Sequence, residues 1–146
     1  MNDIIVSESV SLNSFLVYNW ADKCTKAGYV IKIDIQFCKP FQGLLWFFLI
    51  NSNVIWKMYS VIPSNTSLYQ SFSIPDREML MYSNYYLAVG TYGSNNTICL
   101  RQSGYTYSSE IHNKSVYDQI DAQWQGSTTG VALSYTTFSN GKYRDH

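Results

Sequence analysis

The sequence predicts an all-β chain: an antiparallel, two-sheet, jelly-roll-like β-sandwich of about eight strands, forming a single domain over residues 1–146. Three observations carry this. Aromatic residues make up 16% of the chain, led by 13 tyrosines, and aromatic and β-branched side chains suit a pleated, half-buried surface. Several short runs alternate apolar with polar residues, the period of a strand and not of a helix. Turn-forming residues separate these runs at roughly 8–14 residue spacing, which favours a sandwich or barrel over an α/β arrangement. No fixed-period repeat is present, so a propeller or solenoid is not expected.

Residues 1–27 form an N-terminal segment open to two readings. Leu12, Phe15, Leu16 and Asn19 would line one face of a helix, with Ser11 or Asn13 as its cap. Phe15-Leu16-Val17-Tyr18 equally reads as a strand, which the all-β neighbours favour. Tyr29 to Phe37 is the clearest strand: Tyr29, Ile31, Ile33, Ile35 and Phe37 share one face, and Val30, Lys32, Asp34 and Gln36 the other. Gly28 precedes it, and Lys39-Pro40 ends it because proline has no N–H to donate. Leu44 to Ile50 is apolar on both faces, as in a strand covered on both sides or one meeting another subunit. Asn51-Ser52-Asn53 turns the chain into a hairpin partner at Val54 to Val61, and Pro63 to Thr66 is a loop. Leu68 to Ile74 alternates again, with Leu68, Phe72 and Ile74 inward and Tyr69, Ser71 and Ser73 outward. After a turn at Pro75 to Glu78, Tyr85 to Tyr92 is a strand with Tyr85, Leu87 and Val89 on one face. Gly93 to Asn96 turns into a short strand at Thr97 to Arg101. Gln102 to Ser115 is polar and tyrosine-rich, an excursion with a ribbon at Tyr105–Tyr107. Val131 to Phe138 is the last strong strand, and residues 140–146 read as a frayed, charged tail.

Ten basic and ten acidic side chains balance and are spread along the chain. No stripe follows a phosphate backbone or an anionic bilayer, so no nucleic-acid partner is expected. The longest apolar run, Leu44 to Ile50, is far short of the roughly 20 residues of a membrane-spanning helix, so no membrane insertion is expected. The opening Met1-Asn2-Asp3-Ile4 lacks the basic region of a secretory signal. Cys24, Cys38 and Cys99 leave at least one thiol unpaired and show no CxxC spacing for zinc. Each reads as a buried thiol, with one disulfide, for example Cys24–Cys38, open in an oxidising place. The Asn-x-Ser/Thr triplets at Asn65, Asn95 and Asn113 are what chance produces in a composition this rich in Asn, Ser and Thr.

Ser67-Leu68-Tyr69-Gln70-Ser71-Phe72-Ser73-Ile74-Pro75, followed by Tyr85-Tyr86-Leu87-Ala88-Val89-Gly90, resembles a cassette of the jelly-roll modules in bacteriophage fibres and appendages and in some carbohydrate-binding modules. Lys26-Ala27-Gly28-Tyr29-Val30 and Gly130-Val131-Ala132-Leu133-Ser134-Tyr135 fit the same plan. The turn between the two middle strands departs from it: Arg77 to Asn84 stands where those modules carry a Gly-Asp pair. The resemblance implies a non-catalytic module without a cofactor, often homotrimeric, on a virion surface or otherwise extracellular. Its implied partners are other virion or appendage proteins and a host cell-surface glycan.

Among candidate sites, catalysis has little to draw on. His112 and His146 are the only histidines, and His112, beside Glu110 in a polar loop, reads as solvated. No Gly-x-Ser-x-Gly elbow or phosphate loop occurs, so no catalytic residue is assigned. Asp34, on the outer face of its strand, and Asp118 and Asp121 read as solvated carboxylates, without spacing for a metal site. The aromatic excess points elsewhere, because sugars stack apolar C–H faces on rings while amides and charged groups bond their hydroxyls. Tyr105, Tyr107 and Trp124 lie in polar text, and Tyr92, Asn95, Asn96 and Arg101 frame a nearby turn. These seven are the expected ligand site, unless their rings plug the sandwich ends or pack on a partner. Leu45, Phe47 and Leu49 would leave an apolar patch if they faced outward, which a symmetric trimer would bury; a loop or the N-terminal segment covering the strand is the other reading. A structural and attachment module with glycan recognition is thus expected, ahead of a stand-alone lectin or carbohydrate-binding module and of a glycan-cleaving enzyme.

Overall fold

A computed structural model describes residues 5–93 and 95–146, with Val6 and Ser7 by their backbone alone. The opening Met1 to Ile4, and Ser94 of the turn read at Gly93 to Asn96, lie outside the described residues.

The described chain is all-β. Its strands are β1 (Ile5–Ser11), β2 (Phe15–Asn19), β3 (Gly28–Gln36), β4 (Leu45–Asn51), β5 (Val54–Val61), β6 (Tyr69–Ser73) and β7 (Leu80–Met81). They continue with β8 (Tyr86–Gly90), β9 (Thr97–Arg101), β10 (Thr106–Glu110), β11 (Gln123–Trp124), β12 (Gly130–Val131), β13 (Leu133–Ser139) and β14 (Lys142–Asp145). A six-stranded sheet has the order β11-β10-β2-β8-β4-β5, and a second sheet the order β14-β13-β3-β6, with β7 beside β3. A small third sheet, β1-β9-β12, prolongs the second one. Only Ala132 separates β12 from β13, and Phe37, directly after β3, bridges Ile98 of β9. The strand count exceeds eight because short ribbons add to the eight principal strands and Ala132 divides the last of them.

The N-terminal segment resolves to strand. Leu16 and Tyr18 point to one side of β2 and Val17 to the other, a period that a helix would scramble. Val17, Ile33, Ile35, Phe37, Leu45, Phe47, Leu49, Leu87, Val89 and Leu133 fill the space between the two large sheets. The expected patch on β4 is therefore corrected: Leu45, Phe47 and Leu49 are 0%, 0% and 1% exposed and belong to the central core. Phe48 and Ile50 point the other way, where Ile111 of the polar excursion and Ile120 just after it roof them. A loop, not a second subunit, covers the strand.

Two faces differ from simple alternation. Pairing of β3 with β13 shifts between Thr136 and Thr137, so Lys32 faces Thr136 while Val30 faces Thr137. Ile31 is the extra residue of a bulge, which turns Val30 into the core and leaves Tyr29 and Ile31 half-buried. Leu68, expected inward, is exposed because β6 starts after it; Gln70 takes the inward place. The Gln70 amide accepts from Ser64 N at 2.9 Å and donates to the carbonyls of Ser64 and Ser67, each at 2.7 Å.

The tail is not frayed. Asn140 and Gly141, both at positive φ, form the tight turn that suits paired antiparallel strands, and β14 returns along β13. His146 exchanges backbone hydrogen bonds with Tyr135 at 2.8 and 3.0 Å, and its ring stacks on Tyr135 at 4.5 Å. Burial holds the imidazole pKa below its ordinary value, opposed by Asp22 and Asp145 and assisted by Arg144. A lowered folded-state pKa means that the unfolded chain takes up the proton first, so this group's contribution weakens as pH falls through about 6.5. Between pH 7.5 and pH 5 the melting temperature is expected to fall further in the wild type than in His146→Gln. Scanning calorimetry at the two pH values checks this, and equal falls would count against it.

Cys38 and Cys99 form a disulfide with Cα atoms 5.0 Å apart, correcting the reading of both as buried thiols and the example pairing of Cys38 with Cys24. Cys24 is buried and unbridged, its thiol donating to Lys26 O at 3.1 Å; burial raises its pKa. No helix among the described residues is long and apolar enough to cross a membrane.

Candidate functional site

Aromatic side chains form a row across the outer face of the six-stranded sheet, on the side of the Phe48 cluster. Tyr18 of β2 lies opposite Tyr107 of β10, and Tyr107 lies opposite Trp124 of β11. Tyr86 of β8 continues the row and faces Ile50 of β4. Ring centroids are 4.9 Å apart for Tyr18–Tyr86, 5.8 Å for Tyr18–Tyr107 and 6.4 Å for Trp20–Tyr107. Tyr105 extends the group, edge-on to Trp20 at 6.4 Å and to Trp124 at 6.5 Å.

Asn19 holds the group together. It ends β2 and caps the single 3-10 turn Trp20–Asp22, its Oδ1 accepting from Ala21 N at 3.2 Å and also from Tyr105 N at 3.0 Å. Its Nδ2 donates to Asp22 at 3.2 Å, and Trp20 N donates to Tyr105 O at 2.9 Å. One buried amide therefore sets the backbone that carries both Trp20 and Tyr105. Gly104, at φ +122°, and Gly130 make room for it: a Cβ on either would lie 2.5–2.7 Å from Asn19 side-chain atoms.

A cavity of about 260 Å³ opens among these rings. Tyr18, Trp20, Tyr86 and Tyr107 line it together with the turn Asn51-Ser52-Asn53, and no charged residue among the described ones takes part. Ser52 and Asn53 both have positive φ, the two-residue hairpin geometry that brings the turn's polar side chains beside the rings. Trp20 and Trp124 are about half exposed, at 51% and 52%. Burial, with the neighbouring phenols second, raises the pKa of Tyr18 and Tyr86, so both hydroxyls stay protonated at neutral pH.

No family model, no curated protein and no solved structure matches the chain.

Of the residues expected from the sequence, Tyr105, Tyr107 and Trp124 come together here. The other four do not. Tyr92 lies against Trp46 and Phe48, and its hydroxyl donates to Lys114 O at 2.9 Å, which ties down the polar excursion. Asn96 is buried and spends its amide on the backbone of Gln42, accepting at 3.0 Å and donating at 2.7 Å. Asn95 lines a separate cavity beside Lys39, Pro40 and Gln42. Arg101 is ion-paired to Asp22 at 2.5 Å and reaches Leu133 O; it supports the turn beneath Trp20 without lining the cavity. Sequence reading missed Tyr18, Trp20, Tyr86, Asn51 and Asn53.

On the opposite face of the β10–β11 ribbon, Ser108 and Gln123 pair in place of the rings. They border a polar cleft of about 720 Å³ that also contains Glu110, His112, Lys114, Asp121 and Gln125, with Glu110, His112 and Asp121 exposed and Lys114 half-buried. Asp118 accepts from Ser115 N at 2.7 Å within its own loop. Asp34 is on the outer face, as expected, but is 6% exposed because Ser71 donates to it and Lys32 lies 3.7 Å away. Among the described residues no three His, Cys, Asp or Glu side chains gather as metal ligands would.

Proposed function

We propose that this chain is a non-catalytic attachment module of a phage-type fibre or other virion or secreted appendage, and that it recognises a surface glycan in the aromatic cavity. The observation that carries the reading is the cluster of exposed Trp20, Tyr105 and Trp124 around half-buried Tyr107, beside a turn of amides and a hydroxyl. Rings take the C–H faces of a sugar, and side-chain amides both donate to and accept from its hydroxyls. Two antiparallel sheets packed face to face are the class of architecture that such appendage modules use, which supports the resemblance at the level of fold class. The Cys38–Cys99 bridge favours an oxidising, extracellular or virion-surface location.

Burial of Leu45, Phe47 and Leu49 removes the apolar patch as a ground for a trimer, leaving only the resemblance, and favours the second reading, a stand-alone lectin or carbohydrate-binding module. Light scattering after gel filtration separates the two: a stable oligomer supports the appendage, a monomer the lectin. Binding of the wild type to a glycan array is expected to weaken about tenfold or more in Trp20→Ala and in Trp124→Ala, the loss of roughly 1.4 kcal/mol of stacking. Unchanged binding in both would remove the site.

A further inference from the structure

Tyr18 forms part of the cavity floor and is only 4% exposed. Its hydroxyl makes no hydrogen bond within the described chain, yet among the described residues no buried side-chain N or O atom is both sealed and unpaired. The small surface that Tyr18 keeps therefore includes the hydroxyl, and it opens on the cavity. A phenol so deeply set, with its ring held between Tyr86 and Tyr107, is an oriented donor and acceptor awaiting a partner.

The rest of the lining narrows what that partner is. Among the described residues no Lys, Arg, His, Asp or Glu borders the cavity, and the nearby Asp22 is already paired with Arg101. A sugar carboxylate entering here would lose water without gaining a cation. A quaternary ammonium would suit the rings alone, but it leaves the Tyr18 hydroxyl and the Asn53 amide, which has no partner among the described residues either, without any bond. The volume of about 260 Å³ lies just under the range of drug-sized pockets and fits one small ring.

We infer that the cavity selects a single uncharged hexopyranose unit of a glycan, with the Tyr18 hydroxyl as its specificity-determining hydrogen-bonding group. This rests on the glycan reading above and deepens it. Trp20 covers one face of the sugar, and the Asn51-Ser52-Asn53 turn takes hydroxyls at the side. Tyr105 and Trp124 lie beyond the cavity, where a following sugar unit stacks.

Saturation-transfer NMR and titration calorimetry with the full chain test this, using methyl glycosides of neutral hexoses, N-acetylneuraminic acid, glucuronic acid and choline. Neutral glycosides are expected to bind and the two acids and choline not to. Tyr18→Phe keeps the ring and its packing, so its melting temperature should match the wild type while affinity for the neutral glycoside drops about tenfold. Equal affinity in Tyr18→Phe, with binding still lost in Trp20→Ala, would overturn this inference and leave the glycan reading standing, as would tight binding of the acidic sugars at a Trp20-dependent site. Binding of choline alone, or of no glycan or probe by the folded wild type, would overturn both.

Discussion

Replacing Cys38 and Cys99 together by alanine is expected to lower the unfolding free energy by about 2–4 kcal/mol. The two residues are 61 positions apart in sequence, and cutting a link of that span returns considerable freedom to the unfolded chain while costing the native state little. The native geometry has other support at this point, since Phe37 bridges Ile98 immediately beside the two cysteines and Ala132 N bonds Cys99 O at 2.8 Å. The double variant should therefore keep the sandwich and lose stability, with a melting temperature lower by roughly 10 °C for a chain of this length. Urea unfolding checks the size of the effect. A reduced wild type should behave like the variant, because Cys24 is buried with its thiol bonded to Lys26 O. Equal melting of oxidised and reduced protein would mean that the bridge does not constrain the unfolded chain.

The fold was legible where side chains simply alternate. The limits of β5 and β9 coincide with those read from the sequence, because each is bounded by turn residues. At β3 the same rule misleads: Tyr29 to Phe37 alternates without a break in sequence, but the bulge at Ile31 consumes one residue and turns Val30 inward. Nothing in the residue types marks that bulge, which depends on the partner strand. The doubly apolar β4 was read correctly as covered on both faces or paired; the cover, Ile111 and Ile120, consists of two isolated residues in polar text. The last hairpin had its signal in Asn140-Gly141, outweighed in reading by the charges around it. Rings in polar text pointed to Tyr105, Tyr107 and Trp124, which the fold gathers into one aromatic group with Trp20. Tyr18 and Tyr86 were concealed by lying in core strands, and Arg101 and Asn96 looked available because sequence does not show that a polar group is already satisfied inside the fold.

Asn19→Ala is the substitution expected to damage both stability and the candidate site most directly. Its Oδ1 is the acceptor for Ala21 N and Tyr105 N, and its Nδ2 is a donor to Asp22. Alanine leaves two backbone donors without that acceptor, opens a void under Gly104 and Gly130, and loosens the turn that carries Trp20. Each unsatisfied buried donor costs about 1–3 kcal/mol and a lost cap about 1 kcal/mol; water reaching the exposed Tyr105 offsets part of this, so a loss of about 3 kcal/mol is expected. Near-ultraviolet circular dichroism should report the change separately from unfolding, because Trp20, Tyr105 and Tyr107 couple through ring contacts that depend on this backbone. Asn19→Asp gives the sharper comparison. It keeps the acceptor for both N–H groups and replaces the donor to Asp22 with a second carboxylate beside it. The backbone of the turn should then hold while the Asp22–Arg101 pair is disturbed, so Asn19→Asp should lose less stability than Asn19→Ala and regain part of the difference at low pH as a carboxyl protonates. If Asn19→Ala proved as stable as the wild type and kept its aromatic signal, the turn would be held by Arg101 and Asp22 alone, and the amide would be a passenger in the site it contacts.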